Sequence, residues 1–154
     1  MPETLDRTPA LDGEYVCWLP RHRRSPGAAR RLLRDFLAER AGGGRFLETG
    51  ELLLSELVTN AVEHARVSGR LIKVRYALRG GRLRVEVHDP VPERPTVRQA
   101  AVEDEDGRGM LLVRELSERW GCCPRAGGVG KFVWFECAPA DLPPGHEVAR
   151  EVPA

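Results

Sequence analysis

The stretch from Glu51 to Ala65, ELLLSELVTNAVEHA, constrains the fold more than any other part of the sequence. Counted from Glu56, the residues Asn60, Glu63 and His64 fall four, seven and eight positions on, so at about 3.6 residues per turn they share one face of a helix. Leu53, Leu54, Leu57, Val58, Ala61 and Val62 supply the remaining surface, and it is apolar. Such a helix can be packed from both flanks while its polar line borders a cavity. A solvated face is the alternative, because Glu, Asn and His in a row on a helix often meet only water. The rest of the chain has to decide between them.

Around this helix the sequence alternates between two periodicities. Glu14 to Pro20 is rich in aromatic and β-branched residues and predicts a short strand. Ser25 followed by Pro26 reads as an N-cap with proline at the first helical position, opening a helix to about Arg40 that carries Ala29, Leu32, Leu33, Phe36 and Leu37 at three-and-four spacing. Gly42, Gly43 and Gly44 end it, and the central helix follows, stopping near Ser68 and Gly69. Leu71 to Leu78 and Leu83 to His88 alternate as strands around Gly80-Gly81, which predicts a hairpin with Asp89 at its end. From Pro90 to about Asp106 the pattern fails over a length that suits a lid or binding loop. A helix then begins near Gly109 and runs to Trp120, and Trp120 to Pro124 and Lys131 to Ala138 read as a last pair of strands about a glycine-rich turn. This order predicts an α+β two-layer sandwich, a mixed, mostly antiparallel sheet with helices on one face.

At 154 residues the chain can bury a core without disulfides or metals. Residues 1–12 are expected to be a flexible tail, 13–138 a single domain, and 139–154 a Pro-rich tail with no core to join. No apolar run is long enough for a membrane span and no signal core opens the sequence, so a cytoplasmic location is expected, with no membrane partner. A net charge of +1 gives no general reason to expect nucleic acid. The basic run Arg21, His22, Arg23, Arg24 suits a solvated loop, with a phosphate or acidic-partner patch as the alternative. Cysteines at 17, 122, 123 and 137 lack zinc spacing and read as reduced, buried strand residues.

Four landmarks remain: Glu56 with Asn60, Asp89 at a strand end, Gly107-Arg108-Gly109 at a helix start, and the glycine-rich turn leading to Lys131. A helix start such as GRG leaves backbone N–H groups facing outward, a common way to bind phosphate. No GxGxxG follows an early strand and no phosphate-binding P-loop motif is present. In order and spacing the landmarks resemble the ATP-binding domain shared by histidine kinases, gyrase-type ATPases and anti-sigma factor kinases, the GHKL or Bergerat fold. ELVTNAVEHA is similar to its N box, HDP to the start of its adenine-binding box, DEDGRGMLLV to its second glycine box and GGVGKFVWFE to its last box. The resemblance spans about Phe46 to Cys137, and within the family it is greatest to the small anti-sigma regulatory factors and serine kinases of actinobacteria.

That resemblance implies ATP and Mg²⁺ as cofactors, with Asn60 as an oxygen ligand of the metal. It implies Glu56 as the general base toward an attacking serine hydroxyl. Asp89 would accept a hydrogen bond from the adenine amino group, Gly107 and Gly109 would let the backbone approach the phosphates, and Arg108 and Lys131 would add charge. It further implies partner switching: a homodimer that holds a sigma factor inactive and phosphorylates a small anti-anti-sigma protein. His64 lies within the N box and no two-helix phosphoacceptor module precedes residue 46, unlike a histidine kinase. Two departures stand out. Asp89-Pro90-Val91-Pro92-Glu93 replaces the family's D-x-G-x-G, and Lys131 stands near a common Gly-Thr. They motivate an alternative, a non-catalytic module of the same fold that sequesters a partner. A gyrase-type ATP hydrolase is a third reading, for which the expected transducer domain is lacking.

Overall fold

The computed structural model describes residues 12–63, 71–90, 107–125 and 130–141. Its elements run β1 (Gly13–Pro20), α1 (Ser25–Ala38), a 3-10 turn (Gly43–Phe46), α2 (Leu47–Glu63), β2 (Leu71–Arg79), β3 (Arg82–Asp89), α3 (Gly107–Leu116), β4 (Arg119–Pro124) and β5 (Lys131–Cys137). The five strands form one sheet in the order β1-β2-β3-β5-β4, antiparallel at every pairing. The predicted β2–β3 hairpin is present. Gly80 and Gly81 both take positive φ, 57° and 76°, as a two-residue turn of matching twist requires.

Strict alternation sends one set of side chains to each face of the sheet. Ile72, Val74, Tyr76 and Leu78 of β2, Leu83, Val85 and Val87 of β3, and Phe135 of β5 are buried together with Ala29, Leu33, Phe36 and Leu37 of α1 and Leu53, Leu54, Leu57 and Val58 of α2. Each fully buried Val, Leu, Ile or Phe among them contributes about 1.5–3 kcal/mol on leaving water. The Tyr76 hydroxyl threads this layer: it accepts from Cys17 Sγ at 3.9 Å and donates to Ala29 O at 2.8 Å, fixing α1 on the middle of β2. Burial first, and then the neighbouring Cys17, raises the Tyr76 hydroxyl far above its ordinary range, so it stays a donor. Where α2 descends onto the sheet it carries Gly50, at which a Cβ would lie 2.8 Å from Leu83 Cδ2. Leu83 is near the start of β3, so α2 runs alongside β3 in the same direction and its last turn reaches the end of β3.

The opposite face carries a band of charge among Val16, Trp18, Phe132 and Trp134. Glu14 of β1 pairs with Arg75 of β2 at 2.7 Å, and Arg75 with Glu86 of β3 at 3.1 Å. Arg84 bonds Glu86 at 2.8 Å and Glu136 of β5 at 3.0 Å, and Glu136 meets Arg119 of β4 at 3.3 Å. An unbroken run of ion pairs therefore crosses all five strands. Burial alone would push the Glu86 carboxyl up, but hydrogen bonds from His88 and Arg84 and the charges of Arg84 and Arg75 outweigh it and bring it down to about 2.

Several local expectations are corrected. Ser25 is the first residue of α1 rather than its cap; the N-cap is Arg24, without a side-chain cap bond. The Ser25 hydroxyl donates instead to Pro20 O at 2.6 Å, tying the helix back to β1. α3 begins at Gly107 and ends at Leu116, so Trp120, which continues the helical periodicity, belongs to β4 opposite Phe135. The sheet needs that aromatic more than the helix does, a tertiary override of local pattern. Of the four cysteines, Cys17 and Cys137 are buried as expected, whereas Cys122 is exposed on the edge strand β4 and Cys123 is half-buried. Pro139 is buried, and the Ala140 N–H donates to Arg45 O at 2.9 Å, so the chain is still docked where its composition suggested a tail. The end of the central helix beyond Glu63, the 91–106 segment and residues 1–11 and 142–154 lie outside the described residues. Among the described residues no helix is long and apolar enough to cross a membrane.

Candidate nucleotide site

Two of the predicted site residues meet at one end of the sandwich. Asp89 is the last residue of β3 and stands directly opposite Lys131, the first residue of β5. Both lie on the helix-covered face, in phase with Val87 and Val133. Their closeness depends on Gly130, whose φ is +84° and where a Cβ would fall 2.1 Å from Asp89 O and 2.7 Å from Pro90 Cα. No side chain larger than hydrogen fits between these two backbones. The glycine that precedes Lys131 thus allows β5 to start against the end of β3.

The last turn of α2 is held to the same place by Arg21. This residue follows Pro20 at the end of β1; its Nη1 donates to Ala61 O at 3.1 Å, and its Nη2 donates to Asp89 Oδ1. Asn60 precedes Ala61 and Glu56 lies one turn earlier, both half-buried on the flank of the face that packs into the core. Glu63, expected on the same polar line, is exposed, and His64 lies outside the described residues. Gly107, Arg108 and Gly109 occupy the first turn of α3, a helix that packs on α2 and β4.

The chemistry of this end suits a phosphate ester carrying a metal. Asn60 offers a carboxamide oxygen and Glu56 a carboxylate, both oxygen donors of the kind that hard cations select. Neither side chain is committed to a hydrogen bond or ion pair with another described residue. Lys131 brings a cation to the rim, and Asp89 an acceptor.

The basic run at 21–24 divides in a way its composition did not reveal. Arg21 is buried and bonded into the site, whereas His22, Arg23 and Arg24 are exposed as a solvated loop should be. Only its position one residue after a strand-ending proline sets Arg21 apart in the sequence. Gly130 was similarly hidden, being one of three glycines in a turn of five residues.

An antiparallel five-stranded sheet, helices on one face and a polar end built from a helix turn, a strand-end Asp and a glycine-led strand define a nucleotide-binding α+β domain. Residues 20–136 match the histidine kinase-like ATPase domain, and the chain belongs to that family, the GHKL fold. A Streptomyces coelicolor protein, "Uncharacterized protein SCO4941", is 35% identical over 98 residues, covering 62% of this chain and 89% of that one. The crystal structure of the RsbU and RsbW domains of Rv1364c from Mycobacterium tuberculosis aligns with a TM-score of 0.56 and 23% identity over 82% of this chain. The chain spans about a third (32%) of the length of that structure's chain, and the likeness is one of fold.

Proposed function

We propose that residues 13–138 form an ATP-binding protein serine/threonine kinase of the anti-sigma type, acting in the cytoplasm by partner switching. It would hold a sigma factor inactive and phosphorylate a small anti-anti-sigma protein on serine. What supports this reading is the Arg21 link that ties the last turn of α2, which carries Asn60, to Asp89, itself opposite Lys131. In it, Asn60 holds Mg²⁺, Asp89 accepts from the adenine amino group, Gly107, Gly109 and Arg108 receive phosphates, and Lys131 offsets their charge. When bound, Mg-ATP supplies the transferable phosphoryl group and the charge neutralisation that transfer requires. Glu56 accepts the proton of the incoming serine hydroxyl, a task for which its position one turn before Asn60 suits it.

Incubation with Mg-ATP and the candidate antagonist proteins of the host should yield phosphoserine that disappears in Glu56→Ala. A wild-type protein that binds ATP yet labels no candidate would end the kinase half of the reading. Val91 and Glu93, standing where the family's D-x-G-x-G has glycine, support the second reading, a non-catalytic module that sequesters a partner. Calorimetry decides between them, since no heat of binding in millimolar Mg-ATP leaves sequestration alone.

The proposed assembly is a homodimer. β1 is an edge strand with Tyr15, Val16 and Trp18 exposed, and a long apolar edge tends to seek another strand. Light scattering at micromolar concentration should report twice the chain mass, and a monomer would refute it.

A further inference from the structure

His88 stands one residue before Asp89 but on the other face of the sheet, and its ring is held on three sides. Nε2 lies 2.8 Å from Glu86 Oε1, the imidazole stacks on Phe132 with ring centres 4.5 Å apart, and Nδ1 accepts from Arg125 Nε at 3.3 Å. The Glu86 carboxyl, held down to about 2, is an acceptor only across the neutral range. It therefore places the ring proton on Nε2 and leaves Nδ1 with its lone pair toward Arg125. Arg125 directly follows β4, and its backbone N–H donates at 3.1 Å to the carbonyl of Gly130, which directly precedes β5. One arginine thus joins the β4–β5 connection to the end of β3, by its backbone to the glycine that lies against Asp89 O and by its side chain to His88.

Among the described residues, the charged groups facing the ring are Glu86 on its own strand, Lys73 directly across on β2, and Arg125. Arg75 and Arg84 share the Glu86 carboxylate, while β5 brings Phe132 and β4 brings Cys123 beyond it. A second proton on the ring acts on Arg125, the group bound through the nitrogen that would take it. A guanidinium has donors only, so a cationic imidazole offers it no acceptor and repels it as a like charge. We infer that His88 is a proton-operated latch on the β4–β5 connection: with a neutral ring it holds Arg125 and so seats Gly130 and Lys131 against Asp89, and with a charged ring it lets Arg125 go and loosens that end of the sheet. Its effect on nucleotide binding rests on the reading of Asp89 and Lys131 as site residues; the latch itself does not.

The test follows ring, latch and site separately between about pH 8 and pH 5, the range in which an imidazole ordinarily changes charge. NMR of wild type records the His88 ring and the Arg125 Nε–H. Calorimetry records Mg-ATP affinity for wild type, His88→Gln and Arg125→Gln, with circular dichroism melts to show which variants are folded. Glutamine at 88 takes up no proton, and glutamine at 125 removes the latch at every pH, so either variant alone suffices for the comparison. Referring wild type to the variants also removes the protonation of ATP and of the other histidines, which all three share. The Arg125 Nε–H signal should shift with the same midpoint as the His88 ring, and wild-type ATP affinity relative to the variants should fall by about tenfold over that range, the scale of one hydrogen bond to a charged group. A His88 ring that titrates without moving the Arg125 signal, or that does not titrate in this range, overturns the latch. An identical pH dependence of ATP affinity in wild type and a folded variant overturns its effect on the site. A wild type that binds no ATP at any pH refutes the nucleotide reading, while the two NMR midpoints still decide the latch.

Discussion

Gly130→Ala offers the sharpest test of how the site is assembled, because the structure supplies its own control. At Gly130 an alanine would meet two penalties: a φ of +84° and a Cβ placed 2.1 Å from Asp89 O. At Gly81 the φ is almost the same, +76°, and nothing lies within 4 Å of an added Cβ. The left-handed conformation costs an alanine roughly 1–2 kcal/mol. Stiffening of the unfolded chain offsets about 0.4–1 kcal/mol of that, so Gly81→Ala should cost about 1 kcal/mol. Gly130→Ala adds a clash between two backbones that no rotamer can relieve. The strand must shift by about 1 Å, and such forced displacements typically cost about 1–3 kcal/mol. The expected total is about 2–4 kcal/mol. Urea denaturation followed by tryptophan fluorescence measures both variants, with unchanged slopes confirming that only stability has moved. ATP affinity should fall in Gly130→Ala alone, since the shift separates Lys131 from Asp89. Equal destabilisation of the two variants, or undiminished ATP binding by Gly130→Ala, would refute the close approach of β5 to the end of β3.

Further outcomes follow from single groups. The Glu86 carboxyl, about 2 in the folded protein against an ordinary 4.5, contributes stability that is fully present above pH 4.5 and lost as pH falls toward 2. The two values differ by enough to make this about 3 kcal/mol, so Glu86→Gln should be less stable than wild type at pH 7 and the difference should vanish near pH 2 in acid denaturation curves. Asn60→Ala should abolish Mg-ATP binding in calorimetry while changing the unfolding free energy from urea denaturation by no more than about 1 kcal/mol, because the side chain is only half-buried. In the native protein a maleimide should label Cys122 rapidly and Cys17 and Cys137 only after unfolding. The latter two are buried, and burial pushes the Cys137 thiol up to about 12.

Most of the fold was legible because its signals are local. The diglycine turn between two alternating strands specifies a hairpin by itself, and the heptad-like spacing of Leu53, Leu54, Leu57 and Val58 specifies the buried face of α2. Trp120 shows where local pattern stops. Its spacing fits the helix before it and the strand after it, and only the facing Phe135 of β5 decides. The candidate site was legible as residue types in order: Glu56, Asn60, Asp89 and Lys131 were each singled out from sequence, and the fold brings α2 and the two strand ends together. Arg21 was not legible, because its two partners lie 40 and 68 residues away and nothing in a run of basic residues says which one turns inward. Close backbone approach at Gly130 was hidden for the same reason, since a glycine in a loop is silent about what lies across from it.

The charged face of the sheet has a consequence for how the strands find their alignment. On the buried face, alternation forbids a slip of one residue, which would turn every apolar side chain outward, but a slip of two leaves hydrocarbon against hydrocarbon. The ion pairs remove that ambiguity. The diglycine turn already fixes β2 on β3, but a two-residue slip of β3 on β5, which no tight turn joins, would exchange Glu136 for Trp134 or Ala138 opposite Arg84. Oil thus sets the parity of the sheet and salt sets its phase. A chain folding in high salt should reach compact, correctly sided but misaligned states that low salt would reject.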